Sequence, residues 1–211
     1  YTRGNLRSRD KDEILCEIKT LVSNGYKEVV ITGINLSSYK DEDGTELLGL
    51  LQKVSLIDGI ERIRMGSLEP RIITRGFLEG ICNNKKICPH FHLSLQSACN
   101  ETLKRMNRKY TIEEYMEKCK LIRSYYDRPA ITTDVIVGFP GETDEEFGVT
   151  KANLETLKLY EMHIFKYSIR NGTVAATMQG QVPDHIKDER SDILLEMAAK
   201  HKSEFEESFR G

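Results

Sequence analysis

The chain has 211 residues, enough for one sizeable core or two small ones, and its 30% charged and 39% hydrophobic residues are ordinary for a globular protein. A formal net charge of -2 excludes a global electrostatic pull toward nucleic acid, so any RNA contact is expected from local patches or from a further domain. No apolar run approaches the ~20 residues needed to span a bilayer, and no apolar segment of signal-peptide type opens the chain, so a cytoplasmic location is expected.

The opening residues, Tyr1 to Arg9, are basic and without periodicity. Ser8 or Asp10 is placed to cap a helix whose apolar positions Ile14, Leu15, Ile18, Leu21 and Val22 recur at helical spacing and which stops at Asn24-Gly25. Lys27 to Thr32 reads as a short β-branched strand, with Gly33-Ile-Asn35 at its carboxyl end. After the turn at Asp41-Glu-Asp-Gly44, Leu47 to Val54 forms the next helix. Arg62 to Gly66 is a strand with Ser67-Leu-Glu-Pro70 as its exit, and Ile72 to Ile81 gives another helical stripe. His90 to Leu95 reads as a strand left by Gln96-Ser-Ala-Cys-Asn100, and helices follow at Thr102 to Met106 and Thr111 to Ser124.

The most informative stretch is Ile131 to Phe147. Thr132, Thr133, Val135, Ile136 and Val137 are nearly continuous, as in a parallel strand buried on both faces. Gly138-Phe-Pro-Gly141 ends it, and Thr143 with Glu146 three residues later is a capping box that opens a helix to Leu157. A strand from Met162 to Tyr167, a turn at Arg170 to Thr173, a linker from about Gly172 and a charged helix from Asp184 to about Phe209 complete the chain. Helix and strand alternate with crossovers of the length that right-handed βαβ units need, which gives an α/β fold: a partial (β/α) barrel with about five parallel strands and the first strand missing. A doubly wound sheet is the competing architecture. An open edge left by the missing strand suggests a dimer formed through it.

The five cysteines, Cys16, Cys82, Cys88, Cys99 and Cys119, are odd in number and contain no C-x-x-C pair, so neither a disulfide framework nor a compact metal site is indicated. Cys16 and Cys119 lie inside helical patterns and are expected to be buried; the other three lie near element ends. Polar residues and glycines collect at strand carboxyl ends: Gly33 and Asn35, Ser67 and Glu69, Gln96 and Ser97, Gly138, and Tyr167 with Ser168. In a barrel these ends converge on one mouth. No Ser-His-Asp order, Walker loop or H-E-x-x-H motif is present, so hydrolytic and nucleoside-triphosphate chemistry is not supported. His90 and His92 share a strand face by the period-two rule, but they lie toward the start and middle of their strand, which favours a packed or hydrogen-bonded role over a metal site completed by Asp134 or His163. Within the mostly basic run Glu101 to Lys109, Arg108 stands out, because a guanidinium next to the mouth can clamp a carboxylate bidentately.

Six ordered strings resemble the radical S-adenosylmethionine (SAM) methylthiotransferases: Arg3 to Arg9, Thr32 to Tyr39, Arg62 to Pro70, Leu93 to Ser97, Leu103 to Tyr110, and Asp134 to Glu142. The Gly-Ser-Leu-Glu-Pro loop and the Val-Gly-Phe-Pro-Gly-Glu turn look most like the branch acting on threonylcarbamoyladenosine in tRNA; the isopentenyladenosine branch and the branch acting on a ribosomal protein look less similar. The resemblance implies a barrel of the radical SAM type and a tRNA methylthiotransferase that adds a methylthio group to C2 of the modified adenosine beside the anticodon. It implies S-adenosyl-L-methionine and 4Fe-4S clusters as cofactors, tRNA as partner, and an electron donor such as flavodoxin or ferredoxin.

By the same resemblance, residues 1–183 would be the radical core and 184–211 a helix leading to an RNA-binding domain. The cluster cysteines are expected upstream of Tyr1, so this stretch is read as a fragment, inactive alone and holding no cluster. Gly33 and Asn35 would lie against the amino-acid end of S-adenosylmethionine, Gln96 and Ser97 against its ribose or carboxylate, and Arg108 against its carboxylate. Val137 and Gly138 would line the adenine with Phe165 and Tyr167, and Glu69 would belong to the same cofactor site. Arg3, Arg7 and Arg9 would meet the cluster loop or RNA phosphate. Ala98 departs from the glycine more usual there. Two other readings compete: a catalytically silent α/β interaction module, and an aldolase- or isomerase-type barrel with Glu69 as its only carboxylate base at the mouth.

Overall fold

A computed structural model describes residues 7–210 of the chain. In order, the elements are α1 (Lys11–Ser23), β1 (Glu28–Ile31), α2 (Leu47–Ser55), β2 (Arg62–Met65), α3 (Arg75–Ile81), β3 (His90–His92), α4 (Asn100–Arg105), α5 (Ile112–Tyr125), β4 (Ala130–Val137), α6 (Asp144–Leu157), β5 (Glu161–Lys166), α7 (Val174–Thr177) and α8 (Asp184–Glu207). The strands form a two-stranded sheet, β1-β2, and a three-stranded sheet, β3-β4-β5. The chain divides into two compact units, Tyr1–Phe91 with Leu121–Pro129, and His92–Lys120 with Ala130–Gly211.

In the first unit, β1 and β2 run parallel in the register Glu28 to Arg62 through Ile31 to Met65. Residues 86–88 continue the pairing: Ile63 N–H donates to Lys86 O and Cys88 N–H to Ile63 O. Leu50, Leu51 and Val54 of α2 and Leu78 and Ile81 of α3 are fully buried with Ile63, as the i, i+3, i+4 spacing of their apolar residues requires. In α1 only Ile18 is fully buried. Asp10, one of the two expected caps, accepts from the N–H groups of Asp12 and Glu13. Cys16, expected to be buried, is exposed: two residues along a helix is a turn of about 200°, which sets it opposite Ile14 and Ile18.

In the second unit, β4 and β5 pair in parallel from Thr132–Glu161 to Val137–Lys166. Residues Ile131, Thr133, Val135 and Val137 are 0–1% exposed, whereas Asp134 and Ile136 on the alternate face are only partly covered. One face of β4 is thus core and the other is available to polar groups. Cys119 is buried as expected, and so is Cys99.

The strand expected to run to Leu95 stops at His92. Beyond it the Thr133 hydroxyl intrudes into the ladder, accepting from Leu95 N–H at 3.1 Å and donating to Leu93 O at 2.5 Å. A single parallel bridge, Gln96–Val135, resumes the pairing. The capping box is present at α6 as Thr143 and Glu146, and α6 has the expected bounds. The expected linker after Gly172 contains α7, capped by the Thr173 hydroxyl on Ala176 N–H.

Candidate functional site

The first unit places Gly33 and Asn35 just after β1, on the wall of a cavity of about 970 Å³ that is also lined by Ile14, Ile18, Val29 and Leu36. The apolar stripe of α1 faces this space, which is why most of it is only half-buried. A Cβ built on Gly33 meets nothing within 4 Å, so the backbone there is open to approach. Among the described residues, the Asn35 Oδ1 atom is buried without a hydrogen-bond partner. A buried amide oxygen left unpaired costs about 1–3 kcal/mol, so a donor from a ligand would relieve it. Glu69 is half-exposed and its carboxylate lies 2.6 Å from Arg71 Nε, while its N–H donates to Ser37 Oγ at 2.8 Å. That pairing engages the one carboxylate a barrel base would need. Arg7 is exposed, and Arg9 is ion-paired with Glu17 and Glu13; Arg3 lies outside the described residues.

In the second unit, Gln96 holds φ at 72°, the left-handed region that a glutamine rarely adopts. Its backbone is tied on both sides to β4: its N–H donates to Asp134 O and its carbonyl accepts from Ile136 N–H, both at 2.8 Å. Ser97 is fully buried; its hydroxyl accepts from Cys99 N–H at 3.3 Å and lies 3.4 Å from Thr150 Oγ1. The structure therefore turns the Ser97 side chain into the interior, where it forms the turn. Arg108 is exposed and has no carboxylate partner among the described residues.

Val137 is 0% exposed, on the same face as Thr133 and Val135, so only its backbone is placed to meet a ligand. Gly138 takes φ 71°, its N–H is consumed by Glu142 Oε2 at 2.6 Å, and a Cβ there would run into Lys187 Cγ. The bare backbone expected at this glycine is thus covered by a lysine stem. Glu142 itself is bound by Arg190 at 2.7 Å, and burial pushes its carboxyl up from the ordinary value against the downward pull of Gly138 N–H and Arg190. Phe165 is 52% exposed and pairs in register with Ile136, so the two stand side by side on the partly open face of the sheet. Tyr167 packs edge-on against Phe139 at 5.3 Å with its hydroxyl buried and unpartnered.

The sequence argument passed over Glu142, Lys187 and Arg190, because their roles depend on contacts some 45 residues or more away in the chain. Of the group weighed in sequence, His92, Asp134 and His163 come together, and His90 stands outside the cluster. Asp134 titrates below the ordinary carboxylate value, first because it is hydrogen-bonded by His92. Among the described residues no helix is long and apolar enough to cross a membrane.

An α/β chain with parallel strands followed by helices, and with glycines and polar groups at the strand exits, is the arrangement seen in one large enzyme class. The Radical SAM superfamily profile matches residues 1–154, and the chain belongs to that superfamily. Its fold is the partial (β/α) barrel of that class. Streptococcus suis SuiB bound to S-adenosylmethionine superposes with a TM-score of 0.60 at 13% identity, over 95% of this chain and 43% of that one. Coproporphyrinogen III oxidase (HemN) from Escherichia coli superposes at 0.57 with 18% identity, over 90% and 45%. At these identities the likeness is one of fold.

Among sequence relatives, the tRNA-2-methylthio-N(6)-dimethylallyladenosine synthase of Thermoanaerobacter pseudethanolicus is 44% identical over 100% of this chain and 45% of its own. The threonylcarbamoyladenosine tRNA methylthiotransferase MtaB of Aquifex aeolicus is 43% identical over 100% of this chain and 52% of its own. The chain spans about half the length of the curated relatives it matches.

Proposed function

We propose that this chain is the radical core of a tRNA methylthiotransferase that adds a methylthio group to C2 of threonylcarbamoyladenosine beside the anticodon. The observation that carries the reading is identity above 40%, along the whole chain, to enzymes named for methylthio transfer to tRNA adenosines. The preference for threonylcarbamoyladenosine rests on the Gly66-Ser-Leu-Glu-Pro70 loop and the Val137-to-Glu142 turn. The 44% identity to a dimethylallyladenosine enzyme supports a second reading with that base as substrate.

S-adenosylmethionine and a 4Fe-4S cluster, when bound, would supply the radical chemistry that activates a carbon–hydrogen bond. The chain's own residues would bind and orient. Asn35 Oδ1, buried and unpaired, suits the α-ammonium of the cofactor's amino-acid end, and the open backbone at Gly33 suits close approach. Arg108, exposed and free of carboxylates, suits the cofactor carboxylate, and Phe165 offers an apolar wall for adenine. Gln96 acts through its fixed backbone, while Glu69, Ser97, Val137, Gly138 and Tyr167 each shape the strand exit on which they lie.

In the same reading the cluster thiolates lie outside the residues present, α8 leads to an RNA-binding domain, and a flavodoxin- or ferredoxin-type donor provides the electron. Among the described residues β1 pairs with β2 on one side only, which offers an edge for a dimer that sedimentation across a wide concentration range would detect.

The test uses the full reading frame, purified anaerobically, reconstituted with iron and sulfide, and supplied with S-adenosylmethionine, a reductant and bulk tRNA. Mass spectrometry of the digested nucleosides is expected to show methylthio-threonylcarbamoyladenosine. Methylthiolation of dimethylallyladenosine alone would transfer the assignment to the second reading. Cofactor cleavage with no methylthio nucleoside at all would overturn both.

A further inference from the structure

The partly open face of the β3-β4-β5 sheet carries a side-chain group that the proposed function does not use. One ring nitrogen each from His92 and His163 and a carboxylate oxygen of Asp134 lie within 4.8 Å of one another. The backbone fixes this. Asp134 and His163 are register partners in the β4–β5 ladder, so their side chains stand side by side on one face. His92 comes from the neighbouring strand β3, its ring centroid 5.9 Å from that of His163.

Two details suit an ion between them. His92 Nε2 lies 3.4 Å from Asp134 Oδ2, about the ligand-to-ligand spacing of a tetrahedral ion with arms of about 2.0–2.1 Å. His92 Nδ1 lies 2.9 Å from the buried Thr132 hydroxyl. Without an ion, a proton shared between Nε2 and Asp134 holds this contact. With Nδ1–H donating to Thr132, the Nε2 lone pair is free to take a metal ion in that proton's place, and outer-shell orientation of this kind is what metal-binding histidines have. His163 is exposed, so rotation about its side-chain bonds can close the remaining gap.

We propose that His92, Asp134 and His163 form a binding site for one divalent transition-metal ion of the zinc class. Two imidazoles and one carboxylate select zinc, cobalt or iron over magnesium and calcium, which prefer all-oxygen shells. Three protein ligands leave a fourth position for water or an anionic oxygen of a substrate, as in open catalytic sites. The inference rests on these side chains alone and stands or falls independently of the proposed function.

The chain, stripped with a chelator, is titrated with cobalt(II) and followed by visible and near-ultraviolet absorption. The expected result is one equivalent bound, with the visible bands of a four- or five-coordinate nitrogen–oxygen site and no thiolate charge-transfer band. His163→Ala and the near-isosteric Asp134→Asn are each expected to weaken binding roughly tenfold or more. Because His163 is exposed, its variant should melt as the parent does, which separates loss of a ligand from loss of the fold. Absence of stoichiometric binding, a thiolate band from the cysteines, or unchanged affinity in both variants would overturn the proposal.

Discussion

Two strand exits that look alike in sequence, Gly33 after β1 and Gly138 after β4, are built in opposite ways. At Gly33 a cavity opens, and among the described residues no atom occupies the space of a Cβ and the nearby Asn35 oxygen has no partner. At Gly138 the backbone is left-handed, its N–H is taken by a carboxylate, and the Lys187 stem fills the space. The first exit is open to approach. The second is closed by its own chain, and its glycine is required by internal packing. A glycine at a strand end therefore does not by itself mark a ligand contact; what decides is whether its amide and its empty Cβ position are already used.

The largest effect should come from breaking the closed exit at its most buried point. Glu142 and Arg190 have side chains 1% and 6% exposed, and Arg190 also reaches Asp144 at 2.7 Å. Glu142→Ala leaves the Arg190 charge buried with its main partner gone and frees the Gly138 N–H, and should cost about 3–5 kcal/mol in urea unfolding. If the loss is under about 1 kcal/mol, water reaches this pair and the exit is not sealed. Gly138→Ala should cost about 1–3 kcal/mol, since it adds strain at φ 71° and displaces the lysine stem.

A smaller, pH-dependent effect is expected at Glu146, which closes the capping box and accepts from Arg105 Nη1 at 2.9 Å. The Arg105 bond, ahead of its other causes, holds this carboxyl below its ordinary value. A depressed folded pKa contributes stability that is complete above the unfolded value of about 4.3 and is lost as pH falls through the lower folded value. Glu146→Gln should therefore lower stability at neutral pH by about 1–2 kcal/mol and flatten the acid limb of a melting-temperature profile below about pH 4.3. An acid limb identical to the parent's would mean the pair is screened.

Local signals in the sequence were enough for α6, whose cap follows from Thr143 and Glu146 and whose buried positions Phe147, Thr150, Leu154 and Leu157 recur at helical spacing despite Gly148. For β4 the β-branched run marks the strand, but the burial on both faces that it predicts holds on one face only, because Asp134 and Ile136 are partly exposed. What they missed is long-range or sub-strand. The Thr133 hydroxyl shortens β3 by capturing Leu93 and Leu95, which no periodicity rule registers. Ser97 carries a ligand-type side chain that the turn buries against Thr150, and Lys187 reaches Gly138 from a helix whose charged sequence reads as solvated. Asp134 and His163 are candidate partners for His92 in the sequence, but that His90 is excluded and the other three stand together follows only from the register of three strands, since they are 29 or more residues apart.

The smallest stability effect sharpens the contrast. Gly33→Ala adds a methyl group to open space at a backbone conformation outside the left-handed region, so unfolding free energy should stay within about 0.5 kcal/mol of the parent. A stabilising shift of a few tenths is also consistent, because alanine narrows the unfolded ensemble. Stability in this variant is the control for ligand binding. In the iron-reconstituted full reading frame, a methyl at Gly33 should raise the Kd for S-adenosylmethionine several-fold if the open backbone is approached by the cofactor. An unchanged Kd together with unchanged stability would mean that the open exit serves some other occupant, and Asn35→Ala would then be the variant to measure, since its unpaired buried oxygen must be satisfied by whatever binds.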